Sequence, residues 1–198
     1  AMAIVRVETV ERGCEIAQGC LDGGIDCLEI SYTLPNAGDV IKALREKFKD
    51  QLVVGAGTVL DPETARSAIL AGAQFIIAPN LSEQVAVVCN RYQIPYAPGC
   101  SSISEAVKGM EAGAAFIKAF PISDFYGPKL VSVFKTPIPV MPILASGGIN
   151  LQNLSEYVKN GVDCCGFGGL LTKGSRADIA ANAREIKKII DDTRLSMK

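Results

Sequence analysis

A lysine stands in the middle of an apolar stretch that has the character of a buried strand. In AFIKAF, residues 115–120, Lys118 is the one polar residue, and a lysine is rarely buried without a partner or a task. Strand alternation places Phe116, Lys118 and Phe120 on one face, where desolvation would lower the pKa of the amine. Because a neutral amine adds to ketones, the stretch predicts Schiff-base chemistry at Lys118. The alternative is a lysine that is paired with a buried acid for structure only.

A glutamate in a second apolar stretch is the natural partner of this lysine. In CLEIS, the residues Cys27, Glu29 and Ser31 share one strand face, and a carboxylate inside a strand is costly unless it is paired. If Glu29 and Lys118 point into one cavity, the two groups can share a proton. We therefore predict that Glu29 is a general acid–base, with a static ion pair as the alternative.

The composition narrows the kinds of chemistry and partner that we expect. The 198 residues include no histidine, which excludes Ser-His and Cys-His nucleophiles and removes the commonest catalytic zinc ligand. Acid–base chemistry near neutral pH must therefore use a carboxylate, lysine, tyrosine or cysteine with a shifted pKa, and no motif in the sequence predicts a metal or a cofactor. A net charge of −1 gives no reason to expect nucleic acid or an anionic membrane surface as a partner, and no apolar run approaches the ~20 residues of a membrane span. The seven cysteines form no C-x-x-C pair and are interpreted as reduced thiols of a cytoplasmic protein.

Short apolar runs alternate with helix-patterned segments along the whole chain. Such continuous apolar strands indicate parallel strands that are buried on both faces. Eight strand–helix units in this length predict a single-domain α/β fold, the (β/α)₈ TIM barrel, over residues 1–198; an open doubly wound sheet is the alternative. The chain opens almost directly in an apolar segment, so we expect no signal peptide and a clipped amino terminus. The predicted strands are 3–6, 27–31, 52–55, 75–78, 95–97, 116–120, 142–146 and 164–168.

A faint internal repeat and three helix-start motifs support this order of elements. The segments GGIDCLEI, AGAQFIIA, AGAAFIKA and NGVDCCGF share one layout, in which a glycine ends a helix and a buried strand begins. Asp61-Pro62 has the pattern of an N-cap followed by proline at the first helical position. The segments 102–105 and 175–178 have the pattern of capping boxes.

In such a barrel, chemistry occurs at the carboxyl ends of the strands. Besides Glu29 and Lys118, two glycine-rich strand ends stand out, SGGI at 146–149 and GFGG at 166–169. Their backbone N–H groups could hold a phosphate, as in many barrels, or the glycines could simply form turns. Lys173 follows the second of them and is either a helper or a surface charge. The candidates at these ends are Thr58, Pro79, Asn80, Phe120, Ser146, Gly147, Gly148, Gly166, Gly168 and Gly169.

Six motifs together resemble the KDPG/KHG aldolase family, whose names stand for 2-keto-3-deoxy-6-phosphogluconate and 4-hydroxy-2-oxoglutarate. They are EISYT, GAGTVLDPE, AGAQFIIAPN, PGCSSISEA, FIKAFP and SGGI, and they span nearly the whole chain. The resemblance implies a metal-free class I aldolase on a (β/α)₈ barrel, a homotrimer and a phosphorylated keto-acid substrate. It makes Lys118 the Schiff-base lysine and Glu29 the general acid–base. It places Thr58, Pro79 and Phe120 around the pyruvyl group, and Gly147 and Gly148 at the phosphate with Ser146 where threonine is common.

Three motifs depart from the pattern of the family. Thr33 stands where an arginine often binds the substrate carboxylate. Arg6, at the end of the first strand, is the candidate replacement, and the alternative is a surface arginine without this role. Gly169 stands where a serine is common after the eighth strand, and ASGGI replaces PTGGI. These differences leave substrate choice open between the two named keto acids, whose cleavage releases glyceraldehyde 3-phosphate or glyoxylate beside pyruvate. Other readings are a 2-dehydro-3-deoxy-6-phosphogalactonate aldolase, a non-covalent phosphosugar isomerase and a sugar-acid-binding protein without turnover.

Overall fold

A computed structural model describes residues 1–197. Strands and helices alternate along it, and a 3₁₀ turn over Lys49–Gln51 precedes the third strand. The strands are β1 Met2–Val5, β2 Cys27–Ser31, β3 Val53–Gly57, β4 Ile76–Ile77, β5 Tyr96–Ala97, β6 Gly99–Cys100, β7 Ile117–Ala119, β8 Ile143–Ser146 and β9 Cys164–Phe167. The helices are α1 Val10–Asp22, α2 Ala37–Phe48, α3 Pro62–Leu70, α4 Glu83–Arg91, α5 Ile103–Glu111, α6 Ile122–Tyr126, α7 Lys129–Lys135, α8 Leu154–Lys159, α9 Gly169–Thr172 and α10 Arg176–Ser196.

The strands form a nearly closed parallel barrel, which confirms the predicted fold class and rejects the open doubly wound sheet. The strand order is β5-β4-β3-β2-β1-β9-β8-β7-β6, so the two ends of the sheet are strands that follow each other in the chain. In the described residues nine strands replace the predicted eight, because the fifth continues past residue 97 and is split at Pro98. Proline has no N–H to donate and so interrupts the ladder, while its carbonyl still accepts from the N–H of Lys118 at 2.9 Å.

The predicted helix starts and the internal repeat are both present. Asp61 accepts a hydrogen bond from the N–H of Thr64 at the start of α3, and capping boxes open α5 and α10. The four glycines of the repeat have positive φ angles of 85°, 101°, 88° and 86° between a helix and the next strand. This left-handed conformation is nearly free for glycine and ends each helix at the foot of a strand. These glycines are Gly24, Gly72, Gly113 and Gly161.

Apolar residues pack on both faces of the strands, in two separate clusters. The larger lies between the barrel and the helices, where Leu28 and Ile30 of β2 are buried with the apolar residues of α1 and α2. The smaller lies inside the barrel at its amino end and is built on Met2, Ile77 and Leu144. Side chains of successive strand residues alternate between these two regions. Glu29, which lies between Leu28 and Ile30, therefore points into the barrel. None of the helices within residues 1–197 is both long and apolar enough to cross a membrane.

Candidate active site

Glu29 and Lys118 lie inside the barrel on strands that are separated by β1, β9 and β8. Glu29 of β2 is 1% exposed, and Lys118 of β7 is 7% exposed. Burial is the main cause that raises the pKa of Glu29, and the positive charge of Lys118 partly offsets it. Burial likewise lowers the pKa of Lys118, partly offset by Glu29. The two groups therefore sense each other's charge, yet among the described residues they form no direct ion pair.

One carboxylate oxygen of Glu29 has an unusual status for a buried atom. Glu29 Oε2 is buried and makes no hydrogen bond to any described residue, although buried polar atoms are nearly always bonded. The other oxygen, Oε1, lies against Gly57 at the end of β3, where an added Cβ would collide with it. The glycine at position 57 therefore leaves the space that Glu29 Oε1 occupies, a contact that sequence reasoning missed. A glycine inside a strand often marks such a close approach, so GAGT did carry a signal for it.

The amine of Lys118 has an aromatic neighbour on one side only. Its Nζ atom lies 4.8 Å from the centre of the Phe120 ring, a distance at which a cation–π attraction operates. Phe116 shares the strand face, as expected, but lies at the amino end of the barrel, where its ring is 37% exposed. Of the two predicted aromatic walls, the structure thus brings Phe120 to the amine and leaves Phe116 away from it.

Three hydroxyl groups line the rim above Glu29. Ser31 Oγ lies 2.8 Å from Thr58 Oγ1 and 3.3 Å from Thr33 Oγ1. Thr58 has a φ of 58°, which is an outlier for a β-branched residue and marks backbone strain of the kind that clusters at functional sites. Ser31 is a rim residue that the sequence interpretation placed on the right face without assigning it a role.

Two further candidates approach the site from the ends of β1 and β4. Arg6 follows β1, one residue beyond its last strand residue, and its charge lowers the pKa of both Glu29 and Lys118. Ile4, two residues earlier, packs inside the barrel, so strand alternation puts the exposed Arg6 on the inward face. Pro79 follows β4 and is half-buried, with its carbonyl packed against Gly99, where a Cβ would collide with it. Asn80, the next residue, is exposed.

The first glycine-rich strand end forms an open turn after β8. Gly147 and Gly148 are exposed and have φ angles of 88° and 69°. Within residues 1–197 the N–H groups of Gly147, Gly148 and Ile149 have no protein acceptor. Ser146 is buried, and its carbonyl accepts a hydrogen bond from the hydroxyl of Ser123. The turn thus presents free N–H groups to the solvent at the carboxyl end of the barrel.

The second glycine-rich strand end lies beside the first, because β8 and β9 are neighbours. Gly166 ends its pairing opposite Ser146, and Gly168 and Gly169 lead into the short helix α9. The side chain of Lys173 runs along Gly169, with its Nζ 4.0 Å from where a Cβ would stand. The structure therefore brings together the glycine pairs and Lys173 on one side of the barrel mouth.

Comparison with known proteins gives one consistent family. A family model for KDPG and KHG aldolase matches residues 1–189. The 2-dehydro-3-deoxy-phosphogluconate aldolase of Treponema pallidum is 36% identical over 155 residues, which cover 78% of this chain and 73% of that protein.

Solved structures agree. A structure described as native KDPGal has a TM-score of 0.91 at 30% identity and covers 98% of this chain and 95% of its own. The KDPG aldolase of Legionella pneumophila, with pyruvate captured at low pH as a covalent carbinolamine intermediate, has a TM-score of 0.81 at 27% identity over 97% of this chain and 92% of its own. Together with the family match over almost the whole length, these likenesses place the chain in the KDPG and KHG aldolase family.

Proposed function

We propose that this protein is a class I aldolase that reversibly cleaves 2-keto-3-deoxy-6-phosphogluconate to pyruvate and glyceraldehyde 3-phosphate. One observation carries the proposal: a buried lysine of lowered pKa and a buried carboxylate of raised pKa both lie inside the barrel, and the charge of each acts on the pKa of the other. Pairs of titratable groups with displaced pKa values are typical of proton-transfer sites. The family relationship supports the same reaction class.

Lys118 supplies the nucleophile. Burial keeps a larger fraction of its amine neutral at a given pH than in a free lysine. The nitrogen lone pair attacks the C2 ketone of the substrate and gives a carbinolamine, which loses water to form an iminium. The positive iminium nitrogen then withdraws electrons from the C3–C4 bond. Phe120 lies against the same amine and can stabilise its cationic forms through its ring face.

Glu29 moves the proton that cleavage requires. Its carboxylate takes the proton of the C4 hydroxyl, directly or through a water molecule, as the C3–C4 bond breaks. The aldehyde leaves, and the two bonding electrons remain on the pyruvyl fragment as an enamine. The proton returns to the methylene carbon of the enamine, and hydrolysis of the imine releases pyruvate and the free lysine. Its oxygen Oε2 makes no hydrogen bond to any described residue, so the carboxylate has unused capacity to accept a proton.

Other residues of the barrel mouth would hold the two ends of the substrate. Arg6 is the proposed partner of the carboxylate at C1, since Thr33 carries no charge and Arg6 faces the site electrostatically. Thr58 and Pro79 would line the pyruvyl group beside Phe120. We propose that the phosphate binds to the free N–H groups at Gly147 and Gly148. Gly168, Gly169 and Lys173, on the neighbouring strand end, would lie beside it.

A second candidate substrate is the C4 epimer, 2-dehydro-3-deoxy-6-phosphogalactonate. The observation that favours it is the TM-score of 0.91 with the native KDPGal structure. The shorter keto acid 4-hydroxy-2-oxoglutarate, which gives pyruvate and glyoxylate, is a third, because it does not use the phosphate end of the site. Assays with all three substrates would rank them.

A homotrimer in the cytoplasm stays a prediction of the family resemblance, and sedimentation analysis would test the trimer.

The test of the proposed function is reductive trapping. The protein is incubated with pyruvate, reduced with borohydride and digested, and the peptides are mapped by mass spectrometry. We expect one reduced pyruvyl adduct, on Lys118. The absence of this adduct, or an equal yield on surface lysines such as Lys47, would contradict the aldolase. It would leave proton transfer without a covalent intermediate, as in a phosphosugar isomerase.

A further inference from the structure

An acidic side chain lies against the glycine turn to which we assign the phosphate. Asp124 belongs to α6, which begins three residues after β7. A Cβ added at Gly148 would collide with Asp124 Oδ1 and lie 3.4 Å from its Cα, and one added at Gly147 would lie 3.6 Å from the Asp124 Cβ. The carboxylate therefore lies beside the same turn whose N–H groups have no protein acceptor.

Hydrogen bonds fix Asp124 in this place. The preceding residue, Ser123, is 1% exposed, and its hydroxyl donates to the carbonyl of Ser146 at the end of β8. The hydroxyl of Tyr157 on α8 donates to the carbonyl of Ser123 at 3.0 Å. These two hydrogen bonds link the first turn of α6 to the carboxyl end of β8 and to α8. Because the residue before Asp124 is anchored to β8 and to α8, the backbone of α6 holds Asp124 beside the turn.

The charge of Asp124 has no local compensation. Within residues 1–197 its carboxylate makes no salt bridge and no hydrogen bond to a side chain. Lys173 lies against Gly169, whereas the side chain that lies against Gly148 is Asp124. A phosphate dianion at the turn would gain from Lys173 and be repelled by Asp124, since like charges a few ångströms apart repel even in high dielectric. An uncharged hydroxyl at the same place could instead donate a hydrogen bond to the carboxylate.

We propose that Asp124 is a specificity-determining residue that lowers the preference of the site for phosphorylated over non-phosphorylated 2-keto-3-deoxy acids. It acts on the distal end of the substrate, beyond the bond that breaks, and it takes no part in imine formation. The inference rests on the proposed aldolase function. It adds that the substrate range of this chain extends to sugar acids whose last carbon carries a free hydroxyl.

The test compares kcat/KM for 2-keto-3-deoxy-6-phosphogluconate with kcat/KM for its non-phosphorylated counterpart in the full chain. Asp124→Asn keeps the shape of the side chain and removes its charge. We expect the phosphorylated-to-free ratio to rise about tenfold, which corresponds to about 1.4 kcal/mol, and the gain to shrink at high salt because the carboxylate is exposed. Lys173→Gln should move the ratio the other way.

A matched control is Asp50→Asn, which removes one exposed carboxylate from the 3₁₀ turn at the amino end of the barrel. It should leave the ratio unchanged. An unchanged ratio in Asp124→Asn, with the pyruvyl adduct still formed on Lys118, would overturn the role of Asp124 and leave the aldolase intact. If the unmodified protein formed no pyruvyl adduct on Lys118, both the aldolase function and the role of Asp124 would be overturned. An equal rise in both Asp variants would also overturn the proposal, because it would reflect net charge alone.

Discussion

The two ends of the barrel interior are built by the same strands but differ in chemistry. On β2, Cys27 faces the amino end and Glu29 the carboxyl end; Phe116, directly before β7, precedes the inward Lys118 by two residues in the same way. The amino end holds an apolar cavity of about 280 Å³, whose lining includes Cys27 and Phe116. Within one two-residue repeat of each strand, about 6.6 Å, the interior changes from apolar side chains to a carboxylate and an amine.

The difference shows what burial does to each group. At the amino end burial raises the pKa of the Cys27 thiol to about 12, so this thiol stays protonated and behaves as a small apolar residue. At the carboxyl end burial moves the pKa values of Glu29 up and Lys118 down, toward each other. The same desolvation that makes a thiol inert therefore brings the pKa values of an acid and an amine closer together, which makes proton exchange between them easier.

The largest effect is expected where the reactive amine is removed. Lys118→Ala should lower kcat by about 10⁴-fold or more, because no other group can form the imine. Turnover and borohydride trapping are measured on the same preparation, with circular dichroism to check the fold. Lys108→Ala, which removes an exposed lysine of α5, is the control and should keep full activity. Near-normal turnover of Lys118→Ala would rule out the covalent mechanism.

The next effect is expected at the carboxylate. Glu29→Gln should still form the pyruvyl adduct but exchange the methyl protons of pyruvate about 10²- to 10⁴-fold more slowly, since the amide cannot carry the proton. Exchange into deuterated water is followed by proton NMR, with adduct yield as the internal reference. Exchange at the rate of the unmodified protein would remove Glu29 from its proposed role.

The same substitution also changes the titration of the amine. The carboxylate raises the pKa of Lys118 against the lowering effect of burial, so its removal should lower this pKa further. Adduct formation needs the neutral amine and therefore increases as pH rises through the pKa. We expect the midpoint of trapping yield against pH to lie below the ordinary 10.5 of lysine in the unmodified protein, and lower still in Glu29→Gln. A midpoint that stays where it is in the unmodified protein would show that the two charges do not interact.

A smaller effect is expected from two glycine substitutions on β3, one at each end of the barrel interior. Gly57→Ala places a methyl group against Glu29 Oε1, whereas Gly55→Ala, two residues earlier on β3, places it against the Phe75 ring at the amino end. Both should lower the free energy of unfolding by about 1–3 kcal/mol through overpacking. Only Gly57→Ala should also slow proton exchange, by about tenfold. Equal exchange rates in the two variants, measured per folded molecule, would contradict the placement of Glu29.

Sequence patterns among neighbouring residues predicted most of the fold but not the close contacts between residues that are distant in the chain. The apolar runs, the capping residues and the glycines at helix ends depend on neighbours in the chain, and they predicted the barrel and the inward faces of Glu29 and Lys118. The split of the fifth strand at Pro98 depends on pairing with both β4 and β7, which the sequence alone does not display. The approach of Asp124 to Gly148 joins residues 24 positions apart, so no periodicity could reveal it.

The smallest effect is expected at the amino end, and a matched pair of phenylalanines on one strand face tests it. Phe120→Leu removes the ring that lies 4.8 Å from the Lys118 amine, and it should lower kcat/KM about three- to tenfold, as expected for the loss of a cation–π contact of about 1 kcal/mol. Phe116→Leu makes the same substitution in a ring that is 37% exposed at the apolar cavity. It should change kcat/KM less than about twofold and the free energy of unfolding by less than about 1.5 kcal/mol. If the two variants lost activity equally, the apolar end would contribute to catalysis as much as the charged end, and the division of the barrel interior would be wrong.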